Sequence, residues 1–131
     1  WYGRVLVERV EGFARKDEWK RGYREINEME RTLVENGAIL MKFFLHITKQ
    51  EQLRRFERRA ADPYKHWKIS EEDWRNRRKW KEHMAAAEDM FRKTNARIAP
   101  WNLIEGNYKW YARIKIMKLL VKRLEQEFGR L

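Results

Sequence analysis

The 131-residue chain contains no cysteine and only two prolines, and it has no apolar run as long as a membrane-spanning helix. Without thiols it forms neither disulfides nor thiolate metal sites, although the missing cysteine says little about the cellular compartment. No secretory signal pattern is present either. These absences predict a cytoplasmic protein without a membrane segment.

The chain also lacks the common motifs of catalysis. There is no glycine-rich phosphate loop, and serine, histidine and aspartate do not occur in the arrangement of a hydrolytic triad. His46, His66 and His83 are not spaced as metal ligands, so no metal site is predicted within these residues. His46 ends an apolar run, and a structural histidine at the core or sheet edge is favoured there over a catalytic one.

What the chain has in excess is positive charge. It carries 31 Lys and Arg against 20 Asp and Glu, a net charge of +11, together with 14% aromatic residues. The aromatic content excludes a disordered tail. A surplus of this size predicts a polyanionic partner, which nucleic acid, an anionic membrane surface and polyphosphate all satisfy. A solvated basic surface without a partner is the alternative.

The charge is concentrated in residues 49–81, where twelve Lys or Arg stand against six Asp or Glu. Spacings of three and four residues place Arg55 on the same helix face as its neighbours, and guanidinium groups bind phosphate oxygens bidentately. The candidate phosphate-binding residues are Arg55, Arg58, Arg59, Lys65 and Lys68. For the cluster as a whole, phosphate binding is favoured over an ordinary salt-bridged helix pair.

Hydrophobic periodicity and capping signals predict helices that alternate with two strands. The predicted helices run from residue 5 to 14, from Asp17 to Gly37, from Thr48 to about Ala61, from Ser70 to about Thr94, and from Gly106-Asn107 to Gly129. The apolar face of the second comprises Trp19, Tyr23, Ile26 and Leu33. The apolar face of the last comprises Trp110, Ile114, Met117, Val121, Leu124 and Phe128.

The strands are expected at residues 38–47 and 101–104. The first is almost continuously apolar, which favours a strand buried on both faces of a parallel sheet over a buried helix segment. Helix–strand units of this kind indicate an α/β fold. Two strands do not make a covered parallel sheet, so the remaining strands are expected elsewhere. Because the chain begins at Trp1 rather than at methionine, we expect a fragment.

Three segments, in one colinear order, resemble polyphosphate kinases of the second type. Residues 1–13 (WYGRVLVERVEGF) resemble the stretch after that family's magnesium-binding aspartate. Residues 37–80, from GAILMKFFLHI to RNRRKW, resemble its strand and lid helices. Residues 99–115 (APWNLIEGNYKWYARIK) resemble its final strand and helix. Gly3 and the GNYKWYARIK segment are most similar to the polyphosphate:AMP phosphotransferase class.

The resemblance implies a P-loop kinase fold and transfer of phosphate between polyphosphate and a nucleotide such as AMP or ADP, with Mg²⁺. Residues 1–131 would form one partial domain, the C-terminal part of the sheet, with residues 48–95 as a basic helical lid. Arg4 matches a catalytic arginine near the transferred phosphate. The residues that match the lid are Arg55, Arg58, Lys65, Lys68 and Arg75. The magnesium ligands and the phosphate loop lie upstream in the family.

Two other readings remain open at this stage. A stand-alone basic helical module that binds nucleic acid would have the same charge, and so would a structural helical protein with an acidic partner. The two predicted strands favour the kinase, since a helical nucleic-acid-binding module needs neither. The sequence leaves open the nucleotide base, the direction of transfer, the polyphosphate length and any homo-oligomer.

We expect the 131-residue chain by itself to be inactive in phosphotransfer, because the phosphate loop and magnesium-binding aspartate implied by the resemblance have no counterpart in it. Incubation with AMP, polyphosphate and Mg²⁺, followed by chromatography of the nucleotides, should give no ADP above the protein-free background. Turnover of AMP by this chain would contradict the division of catalytic parts that the resemblance implies.

Overall fold

The computed structural model describes residues 1–129 and has a mixed α/β architecture that is mostly helical. In chain order the elements are a 3₁₀ turn (Tyr2–Val5), α1 (Val7–Glu11), α2 (Lys16–Glu35), β1 (Lys42–His46), α3 (Lys49–Ala60), a second 3₁₀ turn (His66–Lys68), α4 (Glu71–Arg78), α5 (Trp80–Thr94), β2 (Trp101–Glu105) and α6 (Lys109–Phe128). None of the helices within residues 1–129 is long and apolar enough to cross a bilayer.

The two strands are parallel, as predicted, and pair directly in a register from Lys42 opposite Trp101 to His46 opposite Glu105. The first strand is shorter than the predicted 38–47, and the expectation that it is buried on both faces is wrong for this chain. Leu45 is 55% exposed. Within the described residues only β2 pairs with β1, so the other edge of β1 has no strand partner there.

Local capping signals fix most helix ends where the sequence predicted them. The Thr48 hydroxyl accepts a hydrogen bond from the amide of Glu51, and the Ser70 hydroxyl accepts one from the amide of Asp73. Gly37 has a φ of +86° just beyond the end of α2, a conformation that favours glycine. Capping thus confirms the predicted starts of α3 and α4 and the end of α2.

The first predicted helix, residues 5–14, is only five residues long, Val7–Glu11, and follows a 3₁₀ turn. Two further predictions about helix boundaries are wrong. The second helix begins at Lys16 rather than after Asp17, because the backbone N–H of Arg15 donates to the Glu18 carboxylate at 2.7 Å and completes the first turn. The predicted helix 70–94 is two helices, interrupted at Lys79, whose ψ of 27° ends α4 and begins α5.

The core lies between the first 3₁₀ turn, α2, α5 and the sheet. Its fully enclosed apolar side chains are Val5, Tyr23, Ile26 and Met90. The predicted apolar face of α2 is therefore confirmed at Tyr23 and Ile26, whereas Leu33, beyond the reach of α5, is exposed. Burial of each such side chain contributes about 1.5–3 kcal/mol.

A buried ion pair lies beside this core. The Lys42 ammonium donates to both oxygens of Glu30 at 2.8 Å and to the Thr94 carbonyl at 2.6 Å. The Tyr2 hydroxyl donates to the same carboxylate at 2.7 Å, and the Trp101 ring centre lies 4.9 Å from the ammonium. All three donors of the ammonium are thereby used and the carboxylate accepts three hydrogen bonds, which offsets the cost of their burial.

The predicted apolar face of α6 is largely exposed. Trp110 is 63% exposed, and Ile114, Met117, Val121 and Phe128 also face away from the rest of the described chain. The helix packs on β2 through Ala112 instead, which is buried. Periodicity identified the helix correctly, but α6 is apolar on more than one side, and the position of β2 decides which side is buried.

Loss of one partner of the buried pair should destabilise the fold strongly. Lys42→Met leaves the Glu30 carboxylate uncompensated, and we expect the free energy of unfolding of this chain to fall by about 3–5 kcal/mol. The double variant Glu30→Leu/Lys42→Met should cost less than the sum of the two single variants. Urea unfolding checks both, and single variants that lose under about 1 kcal/mol would contradict the assignment.

Candidate anion-binding site

Helices α3 and α4, with the turn between them, form a hairpin (Lys49–Arg78). Phe56 and Trp74 meet edge to face, with ring centres 5.1 Å apart. The Arg77 guanidinium donates to the Lys49 carbonyl and to the Gln52 side chain at 3.2 Å. These contacts fix the two helices against each other.

Arg55 joins the hairpin to the loop between β2 and α6. Its guanidinium donates to Glu51 at 2.7 Å, to the Gly106 carbonyl at 2.6 Å and to the Asn107 carbonyl at 3.3 Å. The Asn107 side-chain oxygen accepts a hydrogen bond from the Thr48 amide at 2.9 Å. The junction lies at the carboxyl ends of both strands, where parallel sheets bind ligands.

Gly106 allows this loop to approach β1. Its amide donates to the His46 carbonyl at 2.6 Å, and a Cβ added at residue 106 would lie 3.0 Å from that carbonyl oxygen. A side chain would therefore force the two strand ends apart. The glycine keeps the start of α6 against the start of α3.

A cationic cluster of Arg55, Arg58, Arg59, Lys109 and Arg113 lies at this junction. The pKa of the Lys109 ammonium is lowered, most strongly by repulsion from Arg55. Burial and repulsion by the other three arginines lower it further. Within residues 1–129, only Arg55 of the five pairs with an acid, Glu51. By contrast Lys115, two residues beyond Arg113 on α6, pairs with Glu105 at 2.6 Å. The cluster therefore holds charge that the described chain does not neutralise.

Sequence analysis missed Lys109 and Arg113 as members of this cluster. A signal was present: both lie in the first turns of α6, whose first turn contains no acidic residue. Cations at the positive end of a helix are unfavourable unless an anion compensates them. The spacing of four residues between them places both on one face.

The other predicted phosphate-binding lysines lie at the tip of the hairpin. Lys65 pairs with Asp62 at 2.5 Å, and the Lys68 ammonium lies 5.1 Å from the centre of the Trp67 ring. No hydrogen bond or ion pair in the described chain joins them to the cationic cluster. Their role in phosphate binding stays a prediction.

Arg4 and Arg75 have acidic partners instead. Arg4 lies 3.3 Å from Glu25 and lines a cavity of about 270 Å³ with that carboxylate. Arg75 lies 2.8 Å from Glu11. The two arginines are thus paired with the body of the protein rather than grouped with the cationic cluster.

His46 lies at the rim of an apolar groove beside the junction. The groove, of about 450 Å³, is lined by apolar side chains that include Phe44, Met84 and Leu103. The His46 ring is exposed, with its centre 6.4 Å from that of Trp80. Within residues 1–129, no three His, Asp or Glu side chains are grouped closely enough to hold a metal ion.

Comparison with known proteins places this geometry in a family. A family model for polyphosphate kinase 2 matches residues 1–130. The chain is 51% identical over 130 residues to a polyphosphate:AMP phosphotransferase of Pseudomonas syringae, which covers 99% of this chain and 26% of that protein. It is 41% identical to NDP-polyphosphate phosphotransferase 1 of Ruegeria pomeroyi, with 97% of this chain and 42% of that protein covered.

Solved structures give the same result. A polyphosphate kinase 2 structure from Pseudomonas aeruginosa superposes with a TM-score of 0.93 at 50% identity, over 96% of this chain and 28% of that chain. One from Arthrobacter aurescens gives 0.92 at 42% identity, over 97% and 45%. The chain thus spans about a quarter of the length of the phosphotransferase it resembles at 51% identity. By sequence and by fold, the chain belongs to the polyphosphate kinase 2 family.

Proposed function

We propose that this chain is the phosphate-gripping part of a polyphosphate-dependent nucleotide kinase that transfers phosphate from polyphosphate to AMP or a related nucleotide. The cationic cluster at the carboxyl ends of a parallel sheet carries this proposal, because within residues 1–129 only Arg55 among its five cations is paired with an acid. The names of the relatives, which include a polyphosphate:AMP phosphotransferase, support polyphosphate as donor and AMP as acceptor.

The arrangement of the charge favours polyphosphate over nucleic acid. Lys109 lies within electrostatic range of four arginines, which lower its pKa. A flexible chain of phosphates can turn within such a cluster, whereas a duplex presents its phosphates along an extended backbone. A stand-alone nucleic-acid-binding module is the second candidate, which the net charge of +11 keeps testable.

In this proposal the residues of the chain supply positioning and charge neutralisation, which dominate catalysis of phosphoryl transfer. The donor phosphates are held by Arg58, Arg59, Lys109 and Arg113. Arg55 fixes α3, the helix that carries Arg58 and Arg59. Residues 48–95 act as a lid of a P-loop kinase domain and exclude water when they close. Lys65 and Lys68 extend the phosphate track along the hairpin tip.

We propose that Arg4, whose side chain is 44% exposed, contacts the transferred phosphate. The phosphate competes with Glu25 for the Arg4 guanidinium. A divalent cation, which we take to be Mg²⁺, neutralises charge on the phosphates when bound. Its ligands are assigned to the part of the longer relatives that this chain does not match. A nucleotide- and polyphosphate-using enzyme of this kind is expected to work in the cytoplasm.

The function is tested by removing the two hairpin arginines. In the full-length protein, Arg58→Gln/Arg59→Gln should raise the KM for polyphosphate about a hundredfold or more, because two charge-assisted phosphate contacts are lost and each is worth about 1.5–3 kcal/mol. The matched control is Arg24→Gln/Arg31→Gln, which removes the same charge from exposed positions on α2. Control and test variants with the same KM, or tighter binding of duplex DNA than of polyphosphate, would overturn the proposal.

Lys109 should show opposite effects on stability and on binding. Its lowered pKa means that the folded state holds the Lys109 proton less tightly than the unfolded state, so stability rises with pH through the alkaline range between those two values. At neutral pH, Lys109→Gln removes the repulsion and should raise Tm slightly at low salt. The same variant should weaken polyphosphate binding about tenfold, because it removes one charge-assisted phosphate contact.

Calorimetry at low and high salt, with binding measured in parallel, checks this pair of effects. The gain in Tm should shrink at high salt because exposed charges are screened. If Lys109→Gln lowers Tm or leaves polyphosphate binding unchanged, that result would contradict the assignment of Lys109 to this site.

A further inference from the structure

A second charged junction, away from the cationic cluster, joins the hairpin to the first helix. Glu11 is the last residue of α1, and its side chain is only 4% exposed. One of its oxygens lies 2.8 Å from Arg75 Nε and 3.3 Å from Lys79 Nζ. Lys79 Nζ also donates to the Val10 carbonyl at 3.2 Å. One carboxylate thus lies within ion-pair distance of two cations from the region where α4 ends.

A carboxylate at this position is unfavourable without those cations. Burial disfavours its charge, and the negative end of a helix repels it. Burial opposes the shift, but the Lys79 ammonium and the Arg75 guanidinium together lower the pKa of Glu11. Lys79 also satisfies a carbonyl at the end of α1 that no helical amide reaches. The contact therefore stabilises α1 and the hairpin jointly.

The junction lies at the break between α4 and α5. Lys79 is the residue where the backbone leaves the helical path, so α4 changes direction relative to α5 there. The hairpin is attached at its other end by Arg55, through Gly106 and Asn107. Glu11 follows Arg4 by seven residues, so the junction connects the hairpin to the segment that carries Arg4.

We propose that Glu11 is a positioning residue that sets the angle of the hairpin through Arg75 and Lys79, and that Arg75 acts through Glu11 rather than on phosphate. This proposal rests on the function proposed above and differs from the resemblance, which implies that Arg75 is a phosphate ligand. The two roles predict opposite results. If Arg75 bound phosphate, Glu11 would compete with the phosphate for Arg75, and removal of the Glu11 charge would tighten polyphosphate binding. As a positioning residue, Glu11 should weaken binding when it is neutralised.

The test uses Glu11→Gln, Arg75→Gln and the double variant in the full-length protein. We expect each single change to raise the KM for polyphosphate about fivefold to tenfold, and the double variant to add little, because the two residues act as one unit. Glu72→Gln is the matched control, since Glu72 is an exposed acid 3.9 Å from the same arginine. The control should stay within twofold of the parent protein.

The salt dependence of binding separates positioning from phosphate contact. Each cation that contacts a polyanion releases about one condensed counterion. Loss of one such cation therefore lowers the magnitude of the slope of log K against log salt by about one. We expect Arg75→Gln to leave this slope unchanged, whereas Arg58→Gln should lower it. A lowered slope for Arg75→Gln, or tighter polyphosphate binding by Glu11→Gln, would overturn the proposal.

A readout without polyphosphate keeps this proposal distinct from the proposed function. Amide hydrogen exchange in α4 should increase at least tenfold in Glu11→Gln and in Arg75→Gln, while α2 amides keep their protection. Unchanged α4 exchange would overturn the positioning role even if polyphosphate binding is confirmed. If Glu11→Gln fails to fold, Arg75→Gln carries the test, because Lys79 still compensates the Glu11 charge in that variant.

Discussion

Glu30 and Lys42 meet in the interior at 2.8 Å, and four separate parts of the chain come together around them. Glu30 belongs to α2 and Lys42 begins β1, while the Tyr2 hydroxyl and the Thr94 carbonyl add the first turn and the end of α5. Buried charges require satisfied partners, so displacement of any of these elements would leave a buried charge with fewer of them. The pair thereby links the first turn, which carries Arg4, to β1.

Beyond this core, the chain distributes acids unevenly around its cations. Arg4, Arg9 and Arg75 all lie beside carboxylates on the body of the protein, at distances of 3.3, 2.9 and 2.8 Å. Lys109 lies among arginines that lower its pKa instead. Paired arginines fix the geometry of the protein, and uncompensated ones leave a field that a polyanion can satisfy. A net charge of +11 does not by itself show which cations play which part.

Much of the local structure could be predicted from the sequence. The hydroxyls of Thr48 and Ser70 cap α3 and α4, because a capping box involves residues only three positions apart. Two strands of a parallel sheet were also predicted, although not that the two pair directly with each other. The break at Lys79 was not, because the periodicity of α4 continues into α5 and only contacts with α1 identify the interruption. The sequence also did not show which side of α6 is buried, because α6 is apolar on more than one side and the position of β2 decides between them.

The sequence by itself determined the order of the elements and the concentration of charge in the hairpin, since both depend on residue types at short spacings, and its resemblance to known sequences indicated the family. The tertiary structure alone decided which cations form a site. Arg55 and Lys109 are 54 positions apart, and they meet only because Gly106 lets two strand ends approach. Electrostatic repulsion and pairing depend on distance in space. Sequence spacing therefore shows neither that Lys109 lies among arginines nor that Arg75 pairs with Glu11.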